Sequence, residues 1–169
     1  LGLADALRYS VPALSADRFP QMIERYRYHY LSRDHELDFF DGVAELIADL
    51  HGNGFVLGIA TGKSRVGLNR AIDRCGLKDF FLATRCADEC HSKPHPQMLE
   101  ELLSEFAVAP DRALMIGDTT HDLQMAINAG VSAIAVDYGA HSAEALDAMN
   151  PLARLQSVKE LAHWLNMHA

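Results

Sequence analysis

Four side chains in this sequence have the types and spacing to handle a phosphoryl group: Thr61, Lys93, Asp118 and Asp122. Thr61 is a hydroxyl placed directly after the apolar run 56–60, VLGIA. Lys93 lies in SKPHP, just before an expected helix whose first residues are prolines, which are pre-set for that position. Asp118 and Asp122 fall in GDTTHD, which follows the apolar run 113–116. Asp118 stands at a strand tip, and Asp122 four residues on in the first turn of the next helix, so both carboxylates can reach one centre. A hydroxyl and an ammonium bind phosphate oxygens. A carboxylate pair suits Mg²⁺, which keeps several waters and needs only one or two protein carboxylates. Such a cation offsets charge on a transferring group.

The stretch GIATGKS, residues 58–64, suggests a different phosphate site. A nucleotide-binding P-loop is G-x-x-x-x-G-K-[ST], long enough to wrap a phosphate with successive backbone N–H groups. Counting back from Gly62, the first glycine should stand at position 57, which is Leu57. Gly58 leaves too few intervening residues and sits inside the apolar run. Asp118 could pass as the carboxylate of the accompanying strand motif, but the glycine count disfavours an NTPase.

The elements that must position these groups alternate. Short continuous apolar runs at 56–60, 80–84, 113–116 and 133–136 read as buried strands. Helical periodicity fills 64–75, 96–106 and 122–129, with Gly76 and Gly130 as stops. Asp41 reads as the cap of a helix whose apolar face is Val43, Leu46, Ile47 and Leu50. Ser142 opens another helix, and Ser157 with Glu160 forms a capping box for the last. This alternation predicts an α/β fold: a Rossmann-like parallel sheet flanked by helices on both faces. Ligands of such sheets bind beyond the carboxyl ends of the strands, which here are Thr61–Lys63, residues 84–85, residues 117–118 and Asp137. Residues 1–39 differ: they hold aromatics and charges, with helical spacing broken near Pro12 and Pro20, and read as two or three helices.

The ordered set IATGKS, SKPHP and MIGDTTHDLQMAINAG resembles motifs two, three and four of the haloacid dehalogenase (HAD) superfamily, and the flanking text is similar to its phosphoglycolate-phosphatase-like branch. The resemblance covers essentially the whole chain. It implies a small α-helical cap over residues 1–39 and a HAD core over 40–169. It also implies a Mg²⁺-dependent phosphatase acting on a small phosphorylated metabolite. Thr61 and the Gly62 N–H would bind phosphoryl oxygens, and Lys93 would stabilise the charges. Asp118 would ligate Mg²⁺ directly; Asp122 would act through a water or by orienting Lys93. The dehalogenase branch has no use for a metal pair, so GDTTHD argues against it.

The family's chemistry also needs a first motif, D-x-D-G-T, ending a central strand. Its first aspartate attacks phosphorus to give an aspartyl-phosphate, and its second serves as acid and base. No D-x-D occurs in the chain; DFFDGV at 38–43 carries one residue too many and Val in place of Thr. In the family that central strand lies between those matching the strands that end at Thr61 and Asp118, and without it their inner edges would be bare and leave backbone groups unpaired. The expectation is therefore a core lacking its first strand, with that strand and the nucleophile upstream of Leu1. A chain without them would be a catalytically inactive phosphate- or metal-binding module.

The bulk numbers fit. The chain has 169 residues, 49% of them apolar, enough for an α/β domain with an appendage. A net charge of −8 without a basic cluster disfavours nucleic acid or an anionic membrane as partner. Three cysteines without framework spacing suit a reducing, cytoplasmic setting. Cys86, Cys90 and His91 lack a second ligand pair for zinc. A monomer or weak dimer is expected. Lys63 reads equally as a substrate contact or a solvated charge; His91, His95 and His121 are assigned no role. The cluster 25–30 reads as packing and solvated charge.

Overall fold

The computed structural model describes residues 3–33 and 39–168. Asp38, the first carboxylate of DFFDGV, and the rest of residues 34–38 lie outside them. Two helices come first, α1 (Leu3–Ser10) and α2 (Phe19–Arg33). Then follow α3 (Val43–Gly52), β1 (Leu57–Thr61), α4 (Arg65–Arg74), β2 (Phe81–Cys86) and α5 (Gln97–Phe106). The chain continues with β3 (Leu114–Gly117), α6 (Thr120–Asn128), β4 (Ser132–Val136), α7 (Ala143–Asp147), β5 (Arg154–Leu155) and α8 (Val158–His168). No helix among the described residues is long and apolar enough to cross a membrane.

The strands are parallel, as continuous apolar runs require, but they form two sheets rather than one. β1 pairs with β2, bringing Thr61 opposite Cys86. β4 pairs with β3 and β5, bringing Gly117 opposite Ala135. Both faces are covered. On one face Met98 and Leu99 of α5 and Met125 and Ala126 of α6 pack on Met115, and Ala60 of β1 joins them, so this cluster bridges the two sheets. On the other face Ile134 and Val136 meet Leu161 and Leu165 of α8, with Leu46 and Leu50 of α3 alongside. Along β4 the side chains alternate: Ala135 faces Leu123 and Leu146, while Ile134 faces α8. Met98, Met125 and Ile134 are fully buried, and truncating any of them to Ala would cost about 2–5 kcal/mol.

Between the two sheets runs a cleft of about 430 Å³. Leu57 and Gly58 line it from β1, Ile116 and Gly117 from β3, and α3 and the Phe40–Tyr138 pair close its sides. The inner edges of β1 and β3 pair with no strand among the described residues.

Several local expectations are corrected. Asp41 is not the cap of α3: Gly42 occupies that position at φ 85, with no side-chain hydrogen bond. A left-handed backbone there favours glycine over the better side-chain acceptor one residue earlier. α2 is not broken at Pro20, which sits in its first turn, where a missing N–H costs nothing. The prolines of SKPHP precede α5 rather than open it; Pro96 is its N-cap. α6 starts two residues before Asp122, because Thr119 caps it. Ser157 takes the Glu160 N–H at 3.2 Å, but the Glu160 carboxylate accepts from Gln156, so the box is half closed. The two-residue β5 was too short to show any periodicity.

Candidate active site at the strand ends

Lys93 lies in the loop between β2 and α5. A turn from the His95 N–H to the Ser92 carbonyl shapes this loop, and the Asn128 side chain on α6 donates to the Pro94 carbonyl at 2.9 Å. The loop is thus tied to the helix that carries Asp122. The Lys93 ammonium donates to Asp122 Oδ1 at 2.5 Å. The other oxygen, Oδ2, accepts the Thr119 N–H at 3.1 Å and the Thr119 hydroxyl at 2.7 Å. The Asp122 N–H in turn donates to Thr119 Oγ1 at 3.2 Å, which completes a capping box.

Asp122 is 4% exposed, the one buried charged residue of the described core. Burial alone would raise its carboxyl, but the neighbouring Lys93 charge and the hydrogen bonds from Lys93 and Thr119 prevail and hold it below the usual range. Gly117 makes room for it, since a Cβ there would stand 2.3 Å from the Asp122 Cβ. Both Asp122 oxygens are committed to Lys93 and Thr119, which is the arrangement of a carboxylate that orients a lysine.

Asp118 follows β3 and is gripped by a loop twenty-odd residues away in sequence. The Ala140 N–H donates to Asp118 Oδ2 at 2.9 Å, and the His141 N–H donates to the Asp118 carbonyl at 3.2 Å. The His141 ring accepts the Thr120 N–H at 3.1 Å. A Cβ on Gly139 would lie 2.3 Å from Asp118 Oδ2, so this approach needs glycine. Tyr138 is next to the same carboxylate; burial, then the Asp118 charge, pushes its phenol up.

Thr61 is less committed. Its hydroxyl accepts the Lys63 N–H at 3.1 Å, a local bond of the kind loop hydroxyls make. Gly62 is exposed. No hydrogen bond links either residue to Lys93, Asp118 or Asp122 among those of the described residues. The other strand-end polar residues are occupied structurally. Thr84 takes Arg65, Arg85 is paired with Glu101 and Glu105, and Asp137 with Arg154. Sequence reasoning missed the grip of residues 139–141 on Asp118 and the contact of Tyr30 with Lys63. The glycine of YGAH, directly after β4, was the one available signal for the first.

Parallel strands under two layers of helix, with a lysine–carboxylate pair and a gripped aspartate after strand ends, make this an α/β protein whose polar chemistry lies in its strand-end loops. The chain belongs to the haloacid dehalogenase-like hydrolases: the model of that family matches residues 1–136. It is 31% identical over 157 residues to the pyrophosphatase PpaX of Anoxybacillus flavithermus, covering 92% of this chain and 73% of that protein. Its fold matches a haloacid dehalogenase-like family hydrolase from Streptococcus pneumoniae, with a TM-score of 0.84 at 21% identity over 98% of this chain and 77% of that one. A predicted phosphoglycolate phosphatase from Haemophilus somnus matches with a TM-score of 0.79 at 19% identity, over 98% and 74% of the two chains.

Proposed function

We propose that the chain carries the phosphate- and metal-handling part of a Mg²⁺-dependent phosphatase acting on a small phosphorylated metabolite. The observation that supports this most is the Lys93–Asp122 pair, its carboxylate buried and locked by Thr119 beside Asp118. Its ammonium is fixed by a carboxylate that is itself fixed, which suits the binding of a phosphoryl group at constant geometry. The Thr61 hydroxyl and the Gly62 N–H contribute donors to the same phosphoryl oxygens.

The donor set suits Mg²⁺. Asp118 offers a hard carboxylate with one oxygen fixed by Ala140, and Mg²⁺ needs few protein ligands. When bound, Mg²⁺ supplies charge neutralisation for the transferring group. Asp122 serves it indirectly, by holding Lys93.

The nucleophile in this reading is an aspartate on a strand that fills the cleft between β1 and β3. It attacks phosphorus as the bond to the substrate's leaving oxygen breaks, and that oxygen takes a proton from the motif's second aspartate. Water then cleaves the aspartyl-phosphate to phosphate and the free carboxylate. The apolar lining of the cleft and the unpaired inner edges support that placement. Helices α1 and α2 act as a cap that excludes water. Pyrophosphate, the substrate in the name of the PpaX relative, and p-nitrophenyl phosphate are the first substrates to try.

The test is Mg²⁺-dependent phosphate release by the full-length protein. Lys93→Met and Asp118→Asn are each expected to lower kcat by about 10²–10³, the usual cost of losing one preorganised charge-stabilising group. Release that persists unchanged in EDTA, or in Lys93→Met, would overturn the reading. Binding of phosphate and Mg²⁺ without any turnover would favour the binding-module alternative.

A further inference from the structure

Lys63 is the residue of the GKS tripeptide that the proposed phosphatase chemistry leaves unused. It sits two residues past Thr61, and its N–H donates to the Thr61 hydroxyl at 3.1 Å. Its carbonyl accepts the Ala87 N–H at 3.1 Å, so the backbone at this position is pinned to the loop after β2. The side chain crosses to the N-terminal helices. The ammonium donates to the Tyr30 hydroxyl on α2 and lies 4.9 Å from the centroid of the same ring. Tyr30 is stacked on Tyr26, with centroids 6.1 Å apart and planes 12° apart.

The other cations around these strand tips are matched by carboxylates. Arg65 has Glu89 at 2.6 Å, Arg85 has Glu101 and Glu105 at 2.6 Å, and Lys93 has Asp122 at 2.5 Å. Among the described residues Lys63 makes no ion pair, and its hydrogen-bond partner is a neutral phenol. An ammonium has three donors. One is given to the Tyr30 hydroxyl, whose neutral oxygen compensates the charge only partly. In a chain of net charge −8, this is a positive group with no carboxylate partner among the described residues, at the boundary between the helical segment and the strand-end loops. An anion arriving there sets an ionised acceptor opposite the ammonium in place of a neutral hydroxyl.

The spacing sets what kind of anion. Gly62 alone separates Thr61 from Lys63, and two steps of chain span at most about 7 Å. One small molecule can therefore touch both. We propose that Lys63 is a specificity-determining residue that binds a second anionic group on the substrate whose reacting phosphoryl group sits at Thr61. This inference rests on the phosphatase reading for the role of Thr61. The second group is the outer phosphate of a diphosphate or the carboxylate of a phosphorylated acid. Tyr30 holds the ammonium in place until the anion takes it.

Binding of non-hydrolysable probes tests this without needing turnover. Titration calorimetry on the full-length protein compares methylenediphosphonate, phosphonoacetate and phenylphosphonate, which carry a second phosphonate, a carboxylate and a neutral ring. Methylenediphosphonate or phosphonoacetate should bind more tightly than phenylphosphonate, and the tighter of the two names the second group. Lys63→Met should reduce that preference about ten- to hundredfold, the worth of a hydrogen bond to a charged group. The ratio of kcat/KM for pyrophosphate over p-nitrophenyl phosphate should fall by a like factor in the same variant. If the probe preference is absent, or survives Lys63→Met, the inference is overturned. If the preference behaves as stated while no substrate is hydrolysed, the phosphatase reading fails and the second-anion site stands.

Discussion

The two banks of the central cleft are built differently. On the β3 bank, Asp122 is 4% exposed with both oxygens committed, and Asp118 takes backbone N–H groups from two consecutive residues of a distant loop. On the β1 bank, Thr61 makes one local hydrogen bond, Gly62 is exposed and Lys63 leans on a phenol. Charge that must keep one geometry is buried and over-determined. Groups that must meet a variable molecule are left half-open. The difference teaches where the cost of the site is carried, because burying an ion pair repays its desolvation only when geometry and extra hydrogen bonds are good.

The largest effect should come from breaking the β3 bank. Asp122→Ala leaves the Lys93 ammonium, with a side chain only 11% exposed, without its partner, and should cost about 3–5 kcal/mol of folding stability. Thr61→Ala, on the opposite bank, should cost less than about 1 kcal/mol. Urea unfolding of both variants measures the contrast, and equal losses would erase it. The acid limb gives a second reading of the same pair. The Asp122 carboxyl is held below its ordinary value of 3.8 in the folded protein. Its stabilisation is therefore fully present above that value and is lost as pH falls through the lower folded value. Asp122→Ala should flatten the fall in stability between about pH 5 and the acid end of this range, relative to the parent protein.

Next in size is the grip on Asp118. Gly139→Ala puts a methyl 2.3 Å from Asp118 Oδ2 and must push the carboxylate or the loop aside. If Asp118 holds Mg²⁺, its affinity should fall about 10–100-fold, as when groups that orient a metal ligand are disturbed. Calorimetric titration of Mg²⁺ into the full-length protein reads this directly. An unchanged affinity would remove Asp118 from the metal or residues 139–141 from its positioning. On the β1 bank the matching disturbance is Tyr30→Phe, which deletes the competing oxygen but keeps the ring. It should leave Mg²⁺ affinity as it was and tighten methylenediphosphonate binding about tenfold, the lower worth of one hydrogen bond to a charged group.

How much of this was legible in the sequence follows the same division. The strands showed as continuous apolar runs because both of their faces are covered. The helix start at Ser142 showed because a side chain in the right place satisfies a helix N–H. The β3 bank was legible as residue types, since GDTTHD and SKPHP put the groups in order. Which oxygen of Asp122 serves which donor was not, because that depends on the loop of Lys93 being tied to α6. The grip of Ala140 on Asp118 and the reach of Tyr30 to Lys63 join residues 22 and 33 positions apart, and no local pattern encodes such contacts. The cap of α3 was misread for a related reason: Asp41 has the favoured side chain, but the backbone before the helix turns left-handed at Gly42.

The smallest expected effect has the opposite sign. Gly67 lies in the first turn of α4, directly after the Thr61–Ser64 loop. A Cβ built there meets Ser64 Oγ at 3.4 Å and Lys63 Cβ at 3.8 Å, both ordinary contacts. Its N–H already donates to the Ser64 hydroxyl at 3.3 Å, and Ala would keep that cap. Gly67→Ala should therefore stabilise the fold by up to about 1 kcal/mol, through the backbone entropy that glycine loses in a helix. A raised urea midpoint with unchanged slope would show this. On the β3 bank the same exchange at Gly139 or Gly117 drives a methyl into a carboxylate. A destabilised Gly67→Ala would mean that the β1 bank is packed as tightly as its opposite, and that its half-open character is not a property of the fold.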